Sequence, residues 1–156
     1  MLKKKVLIRV AIGLDILQLV NIGKEYHEEA VAWSCFEYNS GQTALSLNYA
    51  IEDRDQQIFL AIADNKIVGF MWSALASYVF SKDKVAKDLY LYVKPAYRGE
   101  NIGKRLTDEF EKWAKACNAT AIITGANSGI SDAADKLYTN SNYLPFGYNY
   151  LKLIKE

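Results

Sequence analysis

The chain has 156 residues, room for about one domain, and 51% of them are hydrophobic; a buried core is expected and a disordered or collagen-like chain is excluded. Its 19 Lys and Arg balance 18 Asp and Glu for a formal charge of +1, so it lacks the bulk positive field of a non-specific nucleic-acid binder. Two distant cysteines, Cys35 and Cys117, and a single histidine, His27, fit neither a disulfide framework nor a zinc knuckle nor a multi-histidine metal site.

Taken in order, Val6 to Val10 alternates weakly and reads as a first strand. Lys3, Lys4 and Lys5 ahead of it imitate a leader for a few residues, but Arg9 and Asp15 interrupt the apolar stretch, and a cytoplasmic location is the expectation. From Asp15, a candidate N-cap, to Tyr26 the positions Ile16, Leu19, Val20 and Gly23 recur at helical spacing. A second helix is predicted from Thr43 to Ile51. Ile58 to Ala63 and Ile67 to Leu75 form a hairpin across Asp64-Asn65-Lys66, residues that tolerate turn geometry. The uncharged apolar run Ile67 to Phe80 is shorter than the roughly 20 residues a membrane-spanning helix needs.

Val85 to Val93 is the next strand, and its Leu89-Tyr90-Leu91-Tyr92-Val93 end is apolar on both faces, the pattern of a central strand. Pro95 ends it. After the loop Tyr97 to Asn101, the residues Ile102, Leu106, Phe110, Trp113 and Cys117 draw one apolar stripe along a helix, with Asp108–Lys112 and Glu111–Lys115 spaced as ion pairs on its polar side. Thr120 to Thr124 reads as a strand, Asn127 to Gly129 as a loop, Ser131 to Asn140 as a short helix capped by Ser131, and Tyr143 to Ile154 as closing strand material. The order β-α-α-β-β-β-α-β-α-β is that of one mixed α/β domain.

The informative junction is Arg98-Gly99-Glu100-Asn101-Ile102-Gly103-Lys104. A turn with two glycines feeding a helix start exposes unpaired N–H groups at the positive end of the helix dipole, which suits phosphate. Arg98, Lys104 and Arg105 add cationic side chains; the alternative is a tight loop with a solvated basic edge. The spacing matches neither a P-loop nor the dinucleotide G-x-G-x-x-G.

The stretch from Leu89 to Lys104, with its strand ending in Val93-Lys94-Pro95 and then Arg98-Gly99-Glu100-Asn101-Ile102-Gly103, resembles the signature of the GNAT N-acetyltransferases. The likeness extends to Ile67-Val68-Gly69-Phe70, similar to the family's third strand, and to Ala134, Tyr138 and Asn142-Tyr143, similar to its Ala-x-x-x-Tyr and Gly-Phe. It implies a mixed central sheet of six to seven strands flanked by about four helices and splayed at the cofactor site. It implies acetyl-coenzyme A as cosubstrate and no metal. Leu91 and Val93 would hold the thioester through backbone groups, and Arg98, Gly99, Asn101, Ile102, Gly103, Lys104 and Ser131 the rest of the cofactor.

By the same resemblance Tyr138 is the general acid that protonates the departing thiol; otherwise it packs on its helix. Members often carry the base where Leu89 stands, and the nearest acid, Asp88, is either that base or a solvated strand-end charge. Asp88 shares nominal strand parity with Tyr90 and Tyr92. His27, Glu28 and Glu29 would line the acceptor side or form an exposed polar helix end, with Trp33, Trp72, Tyr78 and Tyr90 as a candidate wall or as core. Asn101 replaces the loop's second glycine, Ser131 an asparagine and Asn142 a glycine, marks of a divergent member.

The expected function is N-acetyl transfer to an amine-bearing acceptor, small molecule or protein, without a covalent enzyme intermediate. The rival is a non-catalytic module of the same fold that binds acyl-coenzyme A or a protein. No nucleic-acid or membrane partner is expected, and a homodimer is left open.

Overall fold

The computed structural model describes residues 5–147 and 149–154. Among these residues five strands are ordered β1-β2-β3-β4-β5: β1 Leu7–Val10, β2 Gln56–Ala63, β3 Lys66–Ser77, β4 Lys84–Val93 and β5 Ala119–Ile123. The first three pairings are antiparallel and β4–β5 is parallel, so the chain must cross over between them. The crossover is α3, Ile102–Ala116, on one face; α1, Ile16–Glu29, and α2, Ser40–Glu52, cover the other, and α4 is Ala133–Asn140.

Local chemistry accounts for the elements. Asp15 precedes α1 but does not cap it; its buried carboxylate turns back to accept both Arg9 guanidinium nitrogens, at 2.7 and 2.8 Å, and the Ile12 N–H. Asn39 caps α2 through its side chain on the Gln42 N–H, so that helix starts three residues ahead of its apolar stretch. The β2–β3 hairpin turns on Asp64 and Asn65, both at positive φ, and Lys66 already pairs with Ala63. The stripe on α3 buries Ile102, Leu106 and Phe110 against Phe59, Ala61, Met71 and Ala86. On the opposite face Leu19, Ile22, Leu47 and Ala50 pack on Ile58, Leu60, Phe70 and Tyr92. The i, i+4 pairs expected on α3 give way to Lys104–Asp108 and Glu109–Lys112, because Glu111 accepts the Tyr143 hydroxyl instead.

Three further sequence readings are corrected. Among the described residues of 143–154 there is no strand, and Leu144, Phe146, Tyr150 and Ile154 are exposed; strand-like composition does not make a strand without a paired edge, and the sheet has five strands rather than six or seven. The end of β4 is not buried on both faces. Its pairing with β5 stops at Lys87–Ile123, and Leu89 and Tyr90 are left 42% and 38% exposed. Finally, opposite β3 the register runs Trp72–Tyr90 and then Ser73–Asp88, which leaves Leu89 as the extra residue of a bulge. The bulge reverses parity: Ala86 packs in the α3 core and Tyr92 in the α1–α2 core, so Asp88 and Tyr90 lie on opposite faces.

Candidate active site

Beyond Lys87 the two parallel strands part, and the gap opens onto the start of α3. Asp88 stands where they diverge. Its Oδ2 accepts the Tyr138 hydroxyl from α4 at 2.5 Å, and its Oδ1 accepts the Gly125 N–H, just past β5, at 3.0 Å. Ser73, across the strands from Asp88, is fully buried. Burial pushes the Asp88 carboxyl up to about 6, against the two hydrogen bonds, which pull it down. Burial first, and then the Asp88 charge, hold the Tyr138 phenol far above the usual tyrosine range. A 6% exposed Tyr138 ring packed on Tyr143 completes this corner. The two residues singled out in the sequence as acid and base thus share one hydrogen bond, 50 positions apart in the chain.

A cleft of about 290 Å³ lies beside them, between the β4 end, the start of α3 and α4. Leu91 and Val93 form its floor and Arg98, Gly99, Asn101, Ile102, Gly103, Lys104 and Ser131 its walls, which places all nine candidate cofactor-binding residues together. Asn101, in the left-handed conformation at φ 59°, makes the turn expected of a glycine and gives no side-chain cap to α3. The first N–H groups of α3 therefore face the cleft without a side-chain acceptor. A Cβ on Gly103 would come against Leu137 at 3.5 Å, in the same space. These features fit a pyrophosphate approaching along the backbone.

The cationic side chains behave differently from expectation. Arg98 turns inward: it donates to both Glu29 oxygens at 2.6 and 2.8 Å and to the Val93 carbonyl, over the Tyr92 ring. Tyr92 donates to the same Glu29, and Arg98 beside it holds the Glu29 carboxyl below its ordinary value. Lys104 pairs with Asp108, and Arg105 donates to the Val6 carbonyl. The cradle's own positive potential is thus mainly backbone. Ser131 accepts from the Ala133 N–H, while the N-cap position of α4 is held by Asp132.

A second pocket, about 410 Å³, opens on the other face between α1, α2 and the sheet. His27, Trp33, Trp72 and Tyr90 line it as the sequence suggested; Tyr78 does not, and stacks on Phe80. Glu28 and Glu29 do not line it either: Glu28 pairs with Lys24, and Glu29 is held by Arg98. Sequence reasoning missed Tyr26, Phe36, Tyr38 and Phe70, which complete the wall. Only Tyr26 carried a signal, at helical spacing from Leu19 and Ile22. Among the described residues no group of His, Cys, Asp and Glu could hold a metal.

The sequence model of the Acetyltransferase (GNAT) family matches residues 20–143. Among solved structures, a ribosomal-protein-alanine N-acetyltransferase from Brucella melitensis biovar Abortus 2308 is similar at TM-score 0.75 and 17% identity, over 96% of this chain and 99% of that one. The aminoglycoside N-acetyltransferase AAC(6')-Iy in complex with CoA gives TM-score 0.79 at 13% identity, over 96% and 95% of the two chains. A predicted acetyltransferase with acetyl-CoA from Clostridium acetobutylicum gives 0.75 at 20% identity, over 96% of each. Among curated protein sequences none matches this chain.

Proposed function

The chain belongs to the GNAT acetyltransferase family, and from that premise we propose that it transfers an acetyl group from acetyl-coenzyme A to an amine acceptor, with Asp88 and Tyr138 handling the protons. The observation that carries the reading is the Asp88–Tyr138 hydrogen bond at the parting of β4 and β5, beside the cleft at the start of α3. Bound there, acetyl-coenzyme A supplies the acetyl group as a thioester and leaves as the thiol.

The N–H groups of residues 102 to 104 take the pyrophosphate, and Ser131 and Leu137 line the path inward from it. The edge of β4 between Leu91 and Val93, unpaired by β5, holds the thioester carbonyl. The neutral amine forms the new N–C bond as the C–S bond breaks. Asp88 takes the nitrogen's proton, Tyr138 Oη gives its own to sulfur, and Asp88 returns one to Tyr138 across their bond, so atoms and charges balance. The order is built in. The Asp88 charge is one cause of the raised Tyr138 value, so protonating Asp88 makes the phenol a readier donor. A carboxyl near 6 is also largely ionised at neutral pH, as a base must be.

The test is release of free thiol from acetyl-coenzyme A with a panel of amines. Amine-dependent release supports the reading. A rise in melting temperature with acetyl-coenzyme A but no release with any amine assigns the chain to a binding role instead.

A further inference from the structure

The pocket between α1, α2 and the sheet is walled by seven aromatic rings: Tyr26, Trp33, Phe36, Tyr38, Phe70, Trp72 and Tyr90. Their polar tips are largely spent on the protein. Trp33 Nε1 donates to the Tyr26 hydroxyl, Tyr38 Oη to the Val20 carbonyl and Trp72 Nε1 to Gln56 Oε1, at 2.6 to 2.8 Å. What remains toward the cavity is ring surface, with Gln42, Thr43 and Ser46 of α2 and His27 of α1 as its polar lining.

Among the described residues no carboxylate lines this pocket. The acids at the end of α1 are committed elsewhere, Glu25 to Lys94, Glu28 to Lys24 and Glu29 to Arg98. A polycation entering here would lose the hydration of several charges and find no counter-charge for them. A single ammonium is different, because ring faces attract one cation, and it gives one proton to solvent before it attacks as the neutral amine. It also has one carboxylate near its inner end: Asp88 is two residues from the wall residue Tyr90 on β4, on the other face, at the opening left where β5 stops pairing after Lys87.

We propose that this pocket takes the acceptor, and that the acceptor is a small primary amine carried on an aromatic ring or comparably bulky apolar group, the ring among the side chains of Trp33, Trp72 and Tyr90 and the nitrogen toward Asp88. The inference rests on the acetyl-transfer reading, and its test separates the two. Thiol release is measured with 2-phenylethylamine and with spermidine, and kcat/KM is expected to favour the aromatic amine by about 100-fold or more, a factor worth about 2.7 kcal/mol. Equal rates or a preference for spermidine would overturn it.

Binding is read without acetyl-coenzyme A by titrating 2-(4-nitrophenyl)ethylamine, whose nitro group quenches indole, against the fluorescence of Trp33 and Trp72. Saturable quenching, displaced by 2-phenylethylamine but not by spermidine, supports the pocket whether or not turnover occurs. Its absence beside active turnover sinks the pocket and leaves acetyl transfer standing. Quenching without any thiol release does the reverse. Ser46→Phe, which puts a ring into the cavity from α2, should weaken quenching and raise the aromatic amine's KM about tenfold while the thermal shift with acetyl-coenzyme A persists. An unchanged KM in that variant would also count against the assignment.

Discussion

The two cavities that flank β4 are built from different materials. The cleft at the start of α3 is made by backbone: a left-handed Asn101, an uncapped helix start and glycines that leave room. The pocket under α1 and α2 is made by side chains, seven rings of which Trp33, Tyr38 and Trp72 have their polar ends tied back. Backbone groups can serve one invariant ligand, because an N–H is the same whichever residue carries it. Side chains can be exchanged without rebuilding the fold, so the second cavity is where acceptor choice is free to vary. Asp88 lines neither of them, and the bulge at Leu89 is what sends Asp88 and Tyr90 to opposite faces.

The strongest test of this division is Tyr138→Phe, which removes one oxygen and keeps the ring. Turnover should fall about 10²-fold or more while affinity for acetyl-coenzyme A stays nearly unchanged, measured by steady-state kinetics and by thermal shift. Loss of the hydroxyl also removes a bond that lowers the Asp88 value, so the acid limb of the residual activity should move to higher pH. Normal turnover with reduced stability would make the hydroxyl a structural bond.

Asp88→Asn should cost somewhat less, roughly 10- to 100-fold in kcat/KM, since solvent can accept the amine's proton. In the parent protein the carboxyl must be ionised to act, so kcat/KM should decline as pH falls through about 6. In the variant that limb should vanish; a pH profile that keeps it would move the base elsewhere.

Gly103→Glu addresses the backbone-built cleft alone. Bulk and negative charge placed against Leu137 should weaken acetyl-coenzyme A by about tenfold or more and shrink its thermal shift, while quenching by the nitrophenyl amine is unaffected. A full shift in this variant would show that the ligand does not use the start of α3.

The smallest kinetic effect is expected from Asp15→Ala, far from both cavities in function. It strands Arg9 and the Ile12 N–H and should cost about 1–2 kcal/mol of stability with kcat and KM unchanged. Because the Arg9 bond holds the Asp15 carboxyl below its usual value, the parent's stability from this pair is present above about pH 4 and is lost as pH falls through the lowered folded value. Urea melts from pH 7 down to pH 3 should show parent and variant converging.

What the sequence determined by itself follows from local rules. The α3 stripe, the Asp64-Asn65 turn and the Arg98-to-Lys104 loop each depend on neighbours a few residues away, and periodicity or turn chemistry reads such patterns directly. The loop's backbone role was legible because glycine and asparagine report backbone geometry. Its side-chain role was not: Arg98 looked like a phosphate ligand, and only the fold brings Glu29 to it from 69 positions away. The bulge at Leu89, the lack of a strand among the described residues after Tyr143 and the gathering of Tyr26, Trp33, Trp72 and Tyr90 around one cavity were likewise decided by tertiary structure. An aromatic residue in a sequence states only that its ring favours burial against something. Which rings share a space, and whether that space stays open, depends on how far β4 and β5 diverge and how α1 and α2 sit on the sheet, and no local pattern encodes those.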